Sequence, residues 1–179
     1  MQARAPLMIE HRLIERMIEI IKRMLFKIEK EKIVDPVLVD TMVDFIRIYA
    51  DRTHHGKEED ILFRELGNKD LSEEDQMLMK ELIEEHILGR RTTKKLVEAN
   101  NRYRDGDKSA LSEIVSNLHL LADFYPEHIK KEDKVFFPSA RSYFSEQEDQ
   151  DILNEFWEFD RKLIHEKYTS LIETFENYI

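Results

Sequence analysis

The sequence predicts an all-α protein, and its composition and its apolar spacing both support this class. Glycine and proline number only four each in 179 residues, which is very low for a sheet protein with many turns. Apolar residues make up 41% of the chain and recur at steps of three and four, the spacing of a helix face. The length suits one domain over residues 1–179, with a bundle over about 7–143 and an additional C-terminal helix over about 146–177.

The first two predicted helices follow from their apolar seams and their end signals. The first runs from about Leu7 to Glu31 and includes His11 in its seam. The second begins after Asp35, a predicted N-cap, with Pro36 in its first turn. Gly56 lies inside this second helix, either because a neighbouring helix approaches there or without structural consequence.

The remaining predicted helices are read in the same way. The third follows a Ser72 N-cap and places His86 among its core positions. The fourth runs from about Lys108 to Tyr143 with His128 in its seam. The fifth follows a Ser145 cap. The second helix contributes His55 to its seam. Each of the first four predicted helices therefore has one histidine in its seam.

A histidine and a glutamate four residues apart lie on the predicted seams in two places, His55–Glu59 and His128–Glu132, whereas the competing pair His54–Glu58 falls on a mostly polar row. Residues at this spacing share a helix face, so each pair presents one imidazole and one carboxylate in the same direction. On the second helix the periodicity places His55 inward and His54 outward or to the side. His119 lies off the seam of the fourth helix, and we expect it at the surface.

Two buried glutamates require compensating positive charge, because an unpaired buried carboxylate costs several kcal/mol. Two sources are open: metal ions, or a salt-bridge network with Arg52 and Arg90. The network does not explain why the other seam residues are imidazoles, so we favour metal. Nitrogen and oxygen ligands without thiolate suit iron, manganese or zinc.

The acidic balance and the absence of cysteine exclude several function classes. A net charge of −10 argues against nucleic-acid binding and disfavours anionic membranes. The chain has no apolar run of about 18–20 residues and no visible signal peptide. Without cysteine there are no disulfides, thiolate sites or cysteine nucleophiles. We expect a cytoplasmic protein with no nucleic-acid or membrane partner.

In the order and spacing of these residues the sequence resembles the hemerythrin-like HHE cation-binding family, over about residues 7–140. The flanking segments Lys57–Phe63 and Lys131–Pro138 agree. The resemblance implies an up-down-up-down four-helix bundle around a non-haem diiron centre. The metal ligands it implies are His11, His55, Glu59, His86, His128 and Glu132.

The sequence departs from the oxygen-carrying members of that family. Their third helix offers two histidines four apart, whereas here the second position is Arg90. His165 on the fifth helix is a possible additional ligand, or equally a hydrogen-bonding boundary residue. The pattern is closer to the iron-sensing and di-iron repair members.

Three functions stay open from the sequence. The leading hypothesis is a protein with two iron ions, or zinc or manganese instead, that binds or senses oxygen, nitric oxide, peroxide or iron. The second is a diiron enzyme or repair protein, either peroxidase-like or an iron donor for iron–sulfur clusters. The third is a metal-free helical interaction module. We propose no catalytic residues, and a protein partner is not identified.

Overall fold

The structure is a computed structural model that describes the backbone of residues 3–176 and the side chains of residues 3–163. This described part is all-helical and contains no strand. None of its helices is long and apolar enough to span a bilayer. It has five helical runs: α1 (Arg4–Glu31), α2 (residues 36–66), α3 (Glu73–Arg104), α4 (residues 108–143) and α5 (Glu146–Glu176).

The ends of the helices follow the predicted caps. The Asp35 carboxylate accepts a hydrogen bond from the backbone nitrogen of Val37 at 2.9 Å. The Ser72 hydroxyl accepts one from the backbone nitrogen of Asp75 at 3.1 Å. Each cap satisfies a backbone donor that the first helical turn leaves without a partner. The predicted starts of α2 and α3 are therefore confirmed.

Helices α2 and α4 are not α-helical throughout. Segments of π-helix interrupt them at Ile46–His55, Glu58–Phe63 and Glu132–Phe136. A π-helix bonds residues five apart and so has a wider turn than the roughly 3.6 residues of an α-helix. The rotation between consecutive residues is correspondingly smaller. Two neighbours in sequence can then face the same side of the helix.

The helices pack with a polar layer between two apolar clusters. α4 packs against both α1 and α3, and α2 packs against α3. One cluster contains Ile14 and Leu96, and the other contains Leu7 and Leu82. Buried histidines lie between the two clusters: His11 on α1 and His86 on α3. Because polar side chains sit where a continuous core would be expected, this layer is the candidate site.

Candidate metal centre

Seven buried side chains from the first four helices form the polar layer. They fall into two groups, each with ligand atoms within 4.8 Å of one another. The first group is His11, His54, Glu58 and Glu132, and the second group is His55, His86 and His128. All seven are buried. Five imidazoles and two carboxylates therefore meet where α1 to α4 pass one another.

The two glutamates lie between the groups. The Glu58 carboxylate has one oxygen 3.4 Å from Nε2 of His54 and the other 3.4 Å from Nε2 of His86. The Glu132 carboxylate has one oxygen 3.2 Å from Nε2 of His11 and the other 3.3 Å from Nε2 of His128. Each glutamate thus reaches one histidine of each group with separate oxygens, which is how a carboxylate bridges two ions.

Four of the histidines are oriented by carboxylates on neighbouring helices. Each donates its Nδ1–H to a carboxylate oxygen at 2.7–2.9 Å, in the pairs His11–Asp133, His54–Glu10, His86–Glu59 and His128–Glu85. This hydrogen bond fixes the tautomer, leaving Nε2 with a free lone pair directed inward. His55 differs, because its Nδ1 lies 3.6 Å from Asp51, beyond hydrogen-bond distance.

Each of these four carboxylates also contacts a cation. The pairs are Asp133–Arg12, Glu10–Lys57, Glu59–Arg90 and Glu85–Lys131. The cation and the histidine contact separate oxygens in three of these carboxylates, whereas at Glu59 both contact Oε1 and Arg90 also contacts Oε2. A carboxylate held by two such partners has little rotational freedom. The imidazoles are therefore held in place before any ion binds.

The interior of the site fits a cation. Buried polar atoms without a hydrogen-bond partner include Nε2 of His11, His54 and His55 and both oxygens of Glu58 and Glu132. Nε2 of His86 lies 3.2 Å from Nε2 of His128. Both rings already donate through Nδ1, so a hydrogen bond between these two nitrogens requires a second proton on one of the two rings when no metal is bound. Bound metal ions would satisfy all of these atoms, and the ligands suit iron, manganese or zinc.

Protons occupy part of this site when no metal is present. Burial and the neighbouring Glu132 raise the pKa of Glu58 well above its ordinary value. Burial opposes the charge of Glu132 as well, but the surrounding histidines outweigh it and lower the pKa of that carboxyl. Burial lowers the pKa of His11, yet Asp133 and Glu132 outweigh burial and raise it to about 9. A bound metal ion therefore competes with protons at Glu58 and His11.

The second group borders a cavity of about 190 Å³. Its lining residues are Ile46, Arg47, Asp51, His55, Gly89, Arg90, Thr93 and Tyr125. Nη1 of Arg90 lies 2.8 Å from Asp51 and 3.0 Å from Glu59, so the guanidinium is held at the rim. The Tyr125 ring lies parallel to His55, with centroids 6.3 Å apart. Of the seven site residues, His55 is the one that lines this space.

The structure corrects the predicted orientation of the second helix. His54 was expected outward or to the side, and this is wrong, because His54 is buried in the first group. Glu59 was expected inside, but its carboxylate contacts His86 Nδ1 and Arg90 at a partly exposed position. Glu58 occupies the position between the groups that was assigned to Glu59. The cause is the π-helix over Ile46–His55, which turns both histidines inward.

The other predicted site residues come together. His11, His55, His86, His128 and Glu132 all lie in the two groups. Their binding of metal stays a prediction. His119 is exposed and contacts Glu29 at 2.8 Å, as its off-seam position predicted. The side chain of His165 lies outside the described residues.

The alternative of a salt-bridge network is not what the interior contains. Arg90 pairs with Asp51 and Glu59 at the rim. Among the described ion pairs, the partners of Glu58 and Glu132 are histidines. The two most deeply buried carboxylates therefore lack the cation that this alternative requires.

Sequence reasoning set aside His54 and Glu58 as the competing pair, although the sequence contained a signal for them. They are four residues apart, the same spacing as the pair His55–Glu59 that was preferred. Two overlapping pairs in one helix are a sign that both histidines can be used. The carboxylate partners Glu10 and Glu85 had no comparable signal, because each pairs with a histidine on another helix.

Comparison with known proteins agrees with this geometry. The family model described as hemerythrin HHE cation binding domain matches residues 4–140, which is more than half of the chain. No curated protein and no solved structure matched the chain. The matched range contains all seven buried residues of the two groups and ends before α5 begins.

Proposed function

The chain belongs to the hemerythrin HHE cation-binding family, and from this premise we propose that it binds two non-haem iron ions in an up-down-up-down bundle of α1 to α4. The first group holds one ion and the second group holds the other, with Glu58 and Glu132 shared between them. The residues proposed as ligands are His11, His54, His55, His86, His128, Glu58 and Glu132. Zinc or manganese would be bound by the same atoms.

One observation carries this proposal: the buried ligand atoms without partners all face one another. Leaving a single buried polar group unpaired costs about 1–3 kcal/mol, and more if it is charged. Here both oxygens of two glutamates and several imidazole nitrogens lack partners in one place. A fold that orients four of these imidazoles with hydrogen bonds and then leaves their inner nitrogens free is organised to bind cations.

We further propose that the bound iron binds a small ligand such as oxygen, nitric oxide or peroxide. Iron bound at the second group would supply a coordination position for that ligand. The cavity beside His55 gives such a molecule room, since a water molecule in the liquid occupies about 30 Å³. Arg90 restricts the rim by its pairs with Asp51 and Glu59. We prefer a binding or sensing function over enzymatic turnover, because the structural observation is a cavity with room for a small ligand.

A cytoplasmic location and the absence of nucleic-acid and membrane partners stay predictions from the sequence. They rest on the acidic charge and the lack of cysteine.

The test is elemental analysis of protein expressed with ample iron, followed by nitric oxide titration of the reduced protein under anaerobic conditions. We expect about two iron ions per chain and a new absorption band as nitric oxide binds. His119→Ala is the matched control, because it removes an exposed histidine that pairs with Glu29 and should change neither result. Absence of any transition metal would overturn the proposal. Zinc as the metal found under these conditions would overturn its small-ligand part.

A further inference from the structure

Helix α5 packs directly on the segment of α2 that carries the ligands. A methyl group added at Gly56, between His55 and Glu58, would lie 2.8 Å from Cζ of Phe159. Real Cβ atoms essentially never approach another atom so closely, so any larger residue at this position would force the Phe159 ring to shift. α5 lies outside the residues that match the family model. A helix additional to the matched domain therefore touches the metal-binding layer.

A buried lysine connects α5 to that layer. The Lys57 side chain is 0% exposed, and its Nζ lies 2.8 and 3.0 Å from the two oxygens of Asp160 on α5. The same Nζ contacts one oxygen of Glu10 on α1. The other oxygen of Glu10 accepts the Nδ1–H of His54 at 2.9 Å. The result is a continuous series of contacts from Asp160 through Lys57 and Glu10 to His54.

Lys57 differs from the other three cations that hold histidine-bound carboxylates. The side chains of Arg12, Arg90 and Lys131 are 55%, 36% and 24% exposed, so water can replace them. Lys57 is fully enclosed, and removing a partner of a buried charge is strongly destabilising for the group that remains. The orientation of Glu10, and through it that of His54, therefore depends on an ion pair that water does not reach.

We propose that Lys57 and Asp160 are positioning residues for His54, so that the docking of α5 controls how firmly the first group holds its metal ion. The inference rests on the proposed two-metal function. If Asp160 is neutralised, Lys57 loses the carboxylate that anchors its Nζ to α5 and is drawn toward Glu10, its remaining carboxylate partner. The Glu10 carboxylate can then turn with the lysine, and the His54 ring loses its fixed direction. The second group has no contact in this series, because His86 and His128 are oriented by Glu59 and Glu85.

The test compares two charge-neutralising variants of α5 residues that each pair with a cation on α2. Asp160→Asn breaks the series to His54 with little change in volume. Glu155→Gln weakens a different α5–α2 ion pair, in which the Glu155 oxygens lie 2.7 and 2.8 Å from the Arg64 guanidinium at an exposed position. Both variants disturb docking of α5, but only the first reaches a proposed ligand. Iron-loaded proteins are mixed with an excess of a chelator and release is followed in time.

We expect Asp160→Asn to release one of its two ions at least about tenfold faster than the unchanged protein, while the second ion leaves at the original rate. Glu155→Gln should release both ions like the unchanged protein. Lys57→Arg keeps the positive charge and should restore most of the slow release relative to Lys57→Met. The selectivity for one ion separates positioning of His54 from general loosening of the fold.

Equal acceleration of both ions, or the same effect from Glu155→Gln, would overturn the inference by showing that docking alone matters. Unchanged release in Asp160→Asn, with thermal melting that shows a folded protein, would also overturn it. Failure of the unchanged protein to load two ions is a different result, because that outcome removes the proposed function itself.

Discussion

The two groups of the metal centre are equally buried but differ in what surrounds them. The first group is closed by α1, α2 and α4, and Lys57 ties it to α5. The second group borders the cavity, and His55 lacks the Nδ1 hydrogen bond that orients the other histidines. A rigid, enclosed ion and an accessible ion would thus lie side by side. Under the proposed function, the first ion would then have a structural role and the second would bind the small ligand.

The largest expected effect comes from a substitution at a ligand that the two groups share. Glu58→Gln weakens a ligand that both groups share, so iron should fall from about two ions per chain to fewer than one. Glu59→Gln is the comparison variant, because this carboxylate contacts Arg90 and orients His86 of the second group through its outer nitrogen. We expect it to loosen only the second group, so it should retain more iron than Glu58→Gln. The measurement is iron per chain by elemental analysis, with a thermal melt to establish folding.

The opposite order, with Glu59→Gln losing both ions and Glu58→Gln keeping them, would restore the orientation expected from helical periodicity alone. It would also contradict the bridging position of Glu58.

A change of pH is expected to have a smaller effect on the stability of the protein, through the histidines of the two groups. Without metal, the pKa of His11 in the first group is raised to about 9, whereas burial lowers that of His54 to about 4 and that of His55 well below its ordinary value. A raised pKa stabilises the metal-free protein fully below the ordinary histidine value, and this contribution is lost as pH rises through about 9. The raised pKa of Glu58 acts in the same direction.

Metal must displace these protons, so its stabilisation of the fold should grow as pH rises from about 6 to about 8. Melting temperatures of metal-free and metal-loaded protein across that range measure the effect. On acidification both groups should release their ions, because the pKa values of His11 in the first group and of His86 in the second are both raised. A gain in melting temperature that stays flat or shrinks toward pH 8 would contradict this account.

The two histidine–glutamate motifs explain how far the sequence could predict the site. In α4 the chain is α-helical up to Lys131, so His128 and Glu132 share a face as the spacing of four residues predicts. In α2 the chain is already π-helical before the histidines. Periodicity based on an α-helix therefore placed His55 correctly but left out His54 and chose Glu59 in place of Glu58.

Contacts between helices were less accessible to sequence reasoning. The all-helical class and the caps at Asp35 and Ser72 depend on local patterns, and the structure confirms them. The pairing of Glu10 with His54, and of Lys57 with Asp160, depends on how distant segments pack. Gly56 illustrates the limit of prediction from sequence. The sequence left its role open, and the close approach of the Phe159 ring shows that a neighbouring helix packs there.

Crystallographic anomalous scattering at the iron edge tests the central claim most directly. We predict two separate peaks in iron-loaded protein, one beside Nε2 of His11 and His54 and one beside His55, His86 and His128. Both peaks should also lie next to the carboxylates of Glu58 and Glu132, with Glu59 outside bonding distance. A single peak, no peak, or an ion bound by Glu59 instead of Glu58 would contradict a centre of two ions bridged by these glutamates.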